Sequence, residues 1–331
     1  MTRRCPTWRG PTSAAIAAIF ATLLGGSTPM PAQALSAAAP QPRAAGDSTD
    51  REAQGQRMLA AILALTAPGM DGRGAGTPGG AKARAWIEAR LTAIGARPFA
   101  DGRYTWPFSF TTKAGTTVQG ANVVAVCRGT RAEAGTIVVS AHYDHLGVRD
   151  GQTYPGADDN ASGVAMLLTV AERCVKAPFA HTLLLVAFDA EEQGLQGARA
   201  FLRTPPVPAA DLVLNVNFDM VSRSDRREIY VAGPGRWPKL APVLAGVATG
   251  APITVKFGHD TGGGQQDWTQ QSDHGVFHDA GIPFVYFGVE DHADYHKPSD
   301  TPDKIAADFL DGVARVVLAG LTALDRAPAF K

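Results

Sequence analysis

The sequence predicts an α/β fold: a three-layer α/β/α arrangement with a mixed, mostly parallel central sheet. Three observations carry this. From about residue 105, apolar runs of strand length alternate with segments of helical periodicity. The runs are mostly apolar at consecutive positions rather than at every second one, as strands buried on both faces require. Clusters of acids and histidines stand just past the carboxyl ends of those runs, where open α/β sheets bind their ligands.

The amino terminus stands apart from the fold. "MTRRCPTWRG" is basic, "SAAIAAIFATLLGG" is a short apolar region, and "PAQA" ending at Ala34 offers a small-x-small cleavage pattern. Residues 1–34 are therefore expected to be a secretory signal peptide and 35–49 a flexible leader, with a single domain over 50–331. A helix is expected from about Asp50 to Thr66, a Gly- and Pro-rich break at "APGMDGRGAGTPGG", and a second helix that stops at Gly95. "NVVAVCRG" and "GTIVVSAHYD" follow as strands, then a helix over 161–175, the strand "HTLLLVAFD", and a further helix. "DLVLNVNFDM", "EIYVAG", "ITVKFG" and "IPFVYFGV" continue the strand series, and an amphipathic helix over 305–326 ends the chain.

The 331 residues are 45% hydrophobic, enough for a sizeable core, and 31 basic residues balance 31 acidic ones. A neutral chain without a polybasic stretch is expected to bind neither nucleic acid nor, once its signal is cleaved, a membrane surface. After export Cys127 and Cys174 remain, as a disulfide or as buried thiols, and neither lies at zinc-finger spacing.

His142 and Asp144, Asp158 and Asp159, Glu191 and Glu192, and Asp219 stand at strand ends, and His296 follows the last strand through a loop. Such hard oxygen and imidazole donors suit zinc or a similar divalent ion. Residues two apart on a strand share a face, so Asp144 is expected to lie beside the ring of His142 while His145 projects the other way. Helix capping accounts for one acid in "GADDNASG" but not two, whereas a carboxylate can bridge two ions. Of the adjacent glutamates, one can hold a metal while the other faces the water. His274 and His278, and His292 and His296, are each four apart; Ser272 is expected to cap the helix at 274 and Asp273 to support the site, and His181 and His259 to be surface or loop residues.

"SAHYDH", "PGADDNASG", "FDAEEQGLQGARAF", "NFDM", "SDHGVFHDAGIP" and "DYHKPSDTPD", in this order, resemble the zinc-dependent exopeptidases of the bacterial leucyl aminopeptidase and glutamate carboxypeptidase type, metallopeptidase family twenty-eight. The resemblance covers nearly all of residues 50–327. It implies the zinc-exopeptidase (phosphorylase/hydrolase-like) fold and two Zn²⁺ ions bridged by Asp158, with His142 and Asp219 completing one position and Glu192 and His296 the other. It further implies Glu191 as general base, Asp144 as the residue orienting His142, and a cis peptide between Asp158 and Asp159.

The expected function is that of an exported, periplasmic or extracellular dinuclear zinc aminopeptidase, acting as a monomer on peptides with a free amino terminus. No arginine adjoins the expected site in "GVEDHADYHKP" or "WTQQSDHG" to clamp a carboxylate, whereas Glu290, Asp291 and Asp294 can attract an α-amino group. A glutaminyl cyclase or carboxypeptidase on the same fold, and a non-catalytic binding protein, are the alternatives.

Overall fold

The computed structural model describes residues 45–327 apart from 100, 263 and 265, together with residue 330. The expected signal peptide and the leader up to residue 44 lie outside the described residues. Eleven strands are described: β1 (Arg97–Pro98), β2 (Thr105–Thr111), β3 (Thr117–Cys127), β4 (Thr136–His142), β5 (Val148–Arg149), β6 (Gln152–Thr153), β7 (Thr182–Phe188), β8 (Leu212–Phe218), β9 (Glu228–Ala232), β10 (Thr254–Phe257) and β11 (Phe284–Gly288). The helices are α1 (Ala45–Leu65), α2 (Pro78–Ile94), α3 (Gly163–Lys176), α4 (Gln196–Arg203), α5 (Leu240–Ala248), α6 (His274–Asp279) and α7 (Ala307–Arg326). The first helix thus begins at Ala45, inside the segment expected as leader.

The main sheet runs β1-β3-β7-β4-β8-β11-β9-β10, with β2 paired to β3, and β5 and β6 form a separate hairpin. Its centre, β7-β4-β8-β11, is parallel, while β3 joins β7 and β9 joins β11 in antiparallel sense. The sheet is therefore mixed with a parallel heart, as the unbroken apolar runs require. Successive residues of one strand serve opposite faces: Leu183, Leu185 and Ala187 pack into the core beneath α1, α2, α3, α5 and α7, while Leu184, Val186 and Phe188 pack into a second core with α4 and α6. Burying both rows removes the whole strand from water, at roughly 25 cal/mol per Å² of apolar surface.

Three local devices steer the chain toward the site. The Thr77 side chain accepts the Gly80 N–H at 3.2 Å and caps α2 behind a Gly-rich turn. That turn carries Arg73 into the interior. Cys127 at the end of β3 is disulfide-bonded to Cys174 in α3, which settles the alternative left open by the sequence. Among the described residues no helix is long and apolar enough to cross a membrane.

Candidate metal centre

The four parallel strands deliver their polar ends to one edge of the sheet. His142 is the last residue of β4, Asp219 directly follows β8, and the loop after β11 brings back His296. Past β7 the chain turns instead of starting a helix. The Gly194 and Leu195 N–H groups both donate to the Glu191 carbonyl at 2.8 Å, and α4 begins only at Gln196, so Glu191 and Glu192 sit on the turn itself. Asp159 comes from an irregular segment over 157–162 that precedes α3 and contains a cis peptide at Asp159–Asn160. Asn160 stabilises this entry, accepting the Gly163 N–H at 2.8 Å and donating to the Phe218 carbonyl at 2.9 Å.

Two donor sets meet on Asp159. His142 Nε2 lies 3.4 Å from Asp159 Oδ1 and 3.2 Å from Asp219 Oδ1. His296 Nε2 lies 3.0 Å from Asp159 Oδ2 and 3.3 Å from Glu192 Oε2. Zinc bonds of roughly 2.0–2.1 Å in tetrahedral array place ligand atoms about 3.3 Å apart, so both sets have the spacing of donors that share an ion. Glu191, His142 and Asp219 also converge on one side, and His145, Asp159 and Glu192 on the other. At the same place His145 Nδ1 lies 2.7 Å from Glu192 Oε1, and the buried Nε2 of that ring has no hydrogen-bond partner.

The expected bridge at Asp158 is corrected by one residue. Asp158 Oδ1 accepts the Ser222 N–H at 2.8 Å and its hydroxyl at 2.7 Å, while Oδ2 faces His292 Nε2 at 3.2 Å. Asp158 therefore ties the loop after β8 to the loop after β11, and Asp159 occupies the position between the donor sets. The cis bond moves with it, from the expected Asp158–Asp159 to Asp159–Asn160. His292 is drawn to Asp158 and so does not pair with His296 in the cluster.

Asp144 lies beside the His142 ring, as expected, and has a second task. Its Oδ1 is 3.7 Å from His142 Nδ1, which sits nearer the Asp144 backbone carbonyl at 3.1 Å. The carboxylate also accepts the backbone N–H groups of Glu191, at 3.0 Å, and of Glu192, at 3.4 Å, and so fixes the turn that presents both glutamates. Asp300 performs the same task opposite, accepting the N–H groups of Asp158 and Asp159 at 3.1 Å. Fully buried Arg73 donates to the carbonyls of Tyr143, Leu65, Pro155 and Gly156, binding the segment before Asp159 to the end of β4.

Eight carboxylates crowd this region: Asp144, Asp158, Asp159, Glu191, Glu192, Asp219, Asp273 and Asp300. Burial, reinforced by Asp273, Asp219 and Glu192 against the pull of His142, pushes the Glu191 carboxyl well above its usual range. Burial opposes the charge of His296, yet Asp159 and Glu192 raise it to about 10. His142 also rises well above its usual value, since Asp219, Glu191 and Asp144 outweigh its burial. Without metal, protons on these imidazoles supply the positive charge that the carboxylates demand; with their spacing, this fits the cluster to divalent cations.

A cavity of about 430 Å³ opens onto the cluster, walled by Leu195, Met220, Trp268, Tyr286, Val289 and Tyr295, with Gln270 and Gln271 among them. Of the three acids expected to draw an α-amino group, Asp291 lines this cavity. Asp294 is instead taken up by Arg223 at 2.6 Å and Lys304 at 2.7 Å, and Glu290 lies 3.3 Å from His259. The two segments without arginine are not the whole wall: Arg199, from α4, also lines the cavity.

The remaining histidines have other partners. His181 and His259 are buried, the first against Asp325 and the second stacked on Trp268 with centroids 3.6 Å apart. His274 packs between Phe284 and Tyr286, and burial lowers it to about 4. Ser272 does not cap α6; its hydroxyl accepts from Asn217 at 3.0 Å. His145, Arg73 and Asp300 are the site residues that the sequence did not single out.

Residues 122–321 match the family model described as Peptidase family M28. Aminopeptidase YwaD of Bacillus subtilis (strain 168) is 28% identical over 207 residues, which make up 56% of this chain and 40% of YwaD. The chain spans less than half the length of the curated relatives it matches first. Among solved structures, an aminopeptidase from Aneurinibacillus sp. strain AM-1 superposes with a TM-score of 0.66 at 18% identity, covering 85% of this chain and 97% of that one. A glutaminyl cyclase from Porphyromonas gingivalis gives 0.64 at 20% identity, covering 81% and 97%. At such identities the likeness shows the fold.

Proposed function

This chain belongs to peptidase family M28, and from that premise we propose that it is a dinuclear zinc aminopeptidase, exported and monomeric, that removes amino-terminal residues from peptides. The observation that carries the proposal is the position of Asp159, whose two carboxylate oxygens face separate donor sets, His142 with Asp219 and Glu192 with His296. Relatives named as an aminopeptidase and as probable zinc metalloproteases agree with this choice of metal and reaction. The Cys127–Cys174 disulfide supports an oxidising compartment.

Two zinc ions, when bound, polarise the scissile carbonyl and acidify the attacking water. Glu191 takes that water's proton. The Asp144 carboxylate accepts the Glu191 backbone N–H and holds it in place for this task. The water oxygen adds to the carbonyl carbon, the C–N bond breaks, and Glu191 returns the proton to the departing amine nitrogen. In this reading Asp291, in the cavity wall, attracts the free α-amino group, and the apolar residues of the wall take the adjoining side chain.

The test is Glu191→Gln with metal analysis alongside kinetics on aminoacyl anilides. Metal content is expected to stay unchanged while kcat falls about 10²–10⁴-fold; full turnover in the variant contradicts the assignment. Arg199 in the cavity wall favours the carboxypeptidase direction as the rival, and faster release of carboxyl-terminal residues than cleavage of anilides decides for it. The shared fold keeps glutaminyl cyclase as a further rival. It requires one zinc per chain and pyroglutamate formation from peptides that begin with glutamine.

A further inference from the structure

We propose that His145 is an additional protein donor at the metal position of Glu192 and His296, so that the two positions are unequal: four protein donors at one and three at the other. The inference rests on the metal-binding reading of this centre. His145 is 2% exposed; its Nε2 has no hydrogen-bond partner, and its Nδ1 is turned toward the carboxylates of Glu192 and Asp159. Two buried carboxylates facing one imidazole nitrogen carry more negative charge than that ring offsets, and a shared cation supplies the balance. The His145 Nδ1 faces the cluster, 2.7 Å from Glu192 Oε1 and 3.8 Å from Asp159 Oδ2, and these distances straddle the roughly 3.3 Å separation of atoms that share a zinc ion. The donor atoms of His145, Asp159 and Glu192 all lie within 4.8 Å of one another. The His145 ring stands edge-on to His296 with centroids 5.8 Å apart, an arrangement open to two imidazoles on one ion.

The surroundings hold the ring in this position. A Cβ at Gly156, where φ is +58°, would meet ring atoms of His145 at 2.6 Å, so glycine there leaves the space that the imidazole fills. Arg73 donates to the carbonyls of both Tyr143 and Gly156, clamping together the segments that carry the ring and its packing partner. The His145 N–H donates to the Arg73 carbonyl at 3.3 Å. An imidazole fixed before the ion arrives loses little freedom on binding it.

Cobalt(II) substitution tests the inference without recourse to activity, because each coordinated imidazole contributes a strongly shifted, exchangeable ring N–H to the proton NMR spectrum. Three such signals are expected from the full-length protein, for His142, His145 and His296, with one lost in His145→Asn. In the same variant, chelator titration is expected to show one ion weakened more than about 100-fold, beyond the roughly 10–100-fold effect of a group that only orients a ligand. Two cobalt ions per chain with only two shifted signals, neither lost in His145→Asn, overturn the inference and leave the dinuclear reading standing. One cobalt ion per chain, with a signal lost in His145→Asn, upholds the inference and overturns the dinuclear reading. Should His145→Asn fail to fold, the number of signals from the unsubstituted protein decides alone.

Discussion

Arg73 is the residue on which the geometry of the centre most depends. Its guanidinium is fully buried, and burial lowers its pKa to about 10 against the raising effect of Asp159 and Asp300, which leaves it cationic at neutral pH. Replacing it with methionine leaves the carbonyls of Leu65, Tyr143, Pro155 and Gly156 without their donor and removes the permanent cation among the carboxylates. Arg73→Met is expected to cost about 3–5 kcal/mol of unfolding free energy, measured by denaturant titration of the metal-loaded protein. A loss below 1 kcal/mol contradicts the strut role. Arg73 was not legible because its partners are backbone carbonyls, which leave no mark on the sequence. Asp158 and Asp159 were legible only as a pair: Gly156 is left-handed and Asp159–Asn160 is cis, so no strand or helix period says which acid turns inward. His145 escaped for a related reason. Strand alternation predicts opposite faces for His142 and His145, but β4 ends at His142 and beyond that point the alternation no longer applies.

At the scale of elements, the chain reveals most where burial is two-sided. The strands β4, β7, β8 and β11 are largely apolar and buried on both faces, and their place in the sheet follows from that. The strand β2 was missed because it is an edge element with mixed exposure, held by its pairing with β3 rather than by a buried face of its own. The helix α7 shows how an element fixes a distant loop. Its Asp325 accepts the N–H groups of Ala180 and His181 at 2.8 Å and meets the His181 ring at 2.9 Å, tying the segment before β7 to the carboxyl-terminal helix. Burial raises the Asp325 pKa, but these donors outweigh it and hold the carboxyl below its usual value. A depressed folded pKa adds stability that is fully present above the unfolded value of about 3.9 and fades as the pH falls through the folded one. Asp325→Asn is therefore expected to lose about 1–3 kcal/mol at pH 7 and progressively less below about pH 4. A penalty that does not change between these pH values contradicts the ion-pair account.

Across the whole molecule, net charge is zero while one sheet edge gathers most of the buried acids. Average composition conceals this concentration; the spacing of motifs along the strand ends does not, which is why the chemistry was legible before the geometry. The metal-free protein must meet this charge with protons. His296, ordinarily near 6.5, is raised to about 10, so its contribution to stability is present below about pH 6.5 and lost as pH rises through 10. Chelator-treated protein is expected to lose melting temperature steadily over that interval, while zinc-loaded protein is not; parallel curves would mean that metal and protons do not substitute for each other. The central claim, that Asp159 joins two metal positions, is tested most directly by anomalous diffraction at the zinc edge from crystals of the zinc-loaded protein. Two peaks are expected, each roughly 2.0–2.2 Å from a different carboxylate oxygen of Asp159. A single peak, or peaks coordinated by Asp158 instead, would contradict the account.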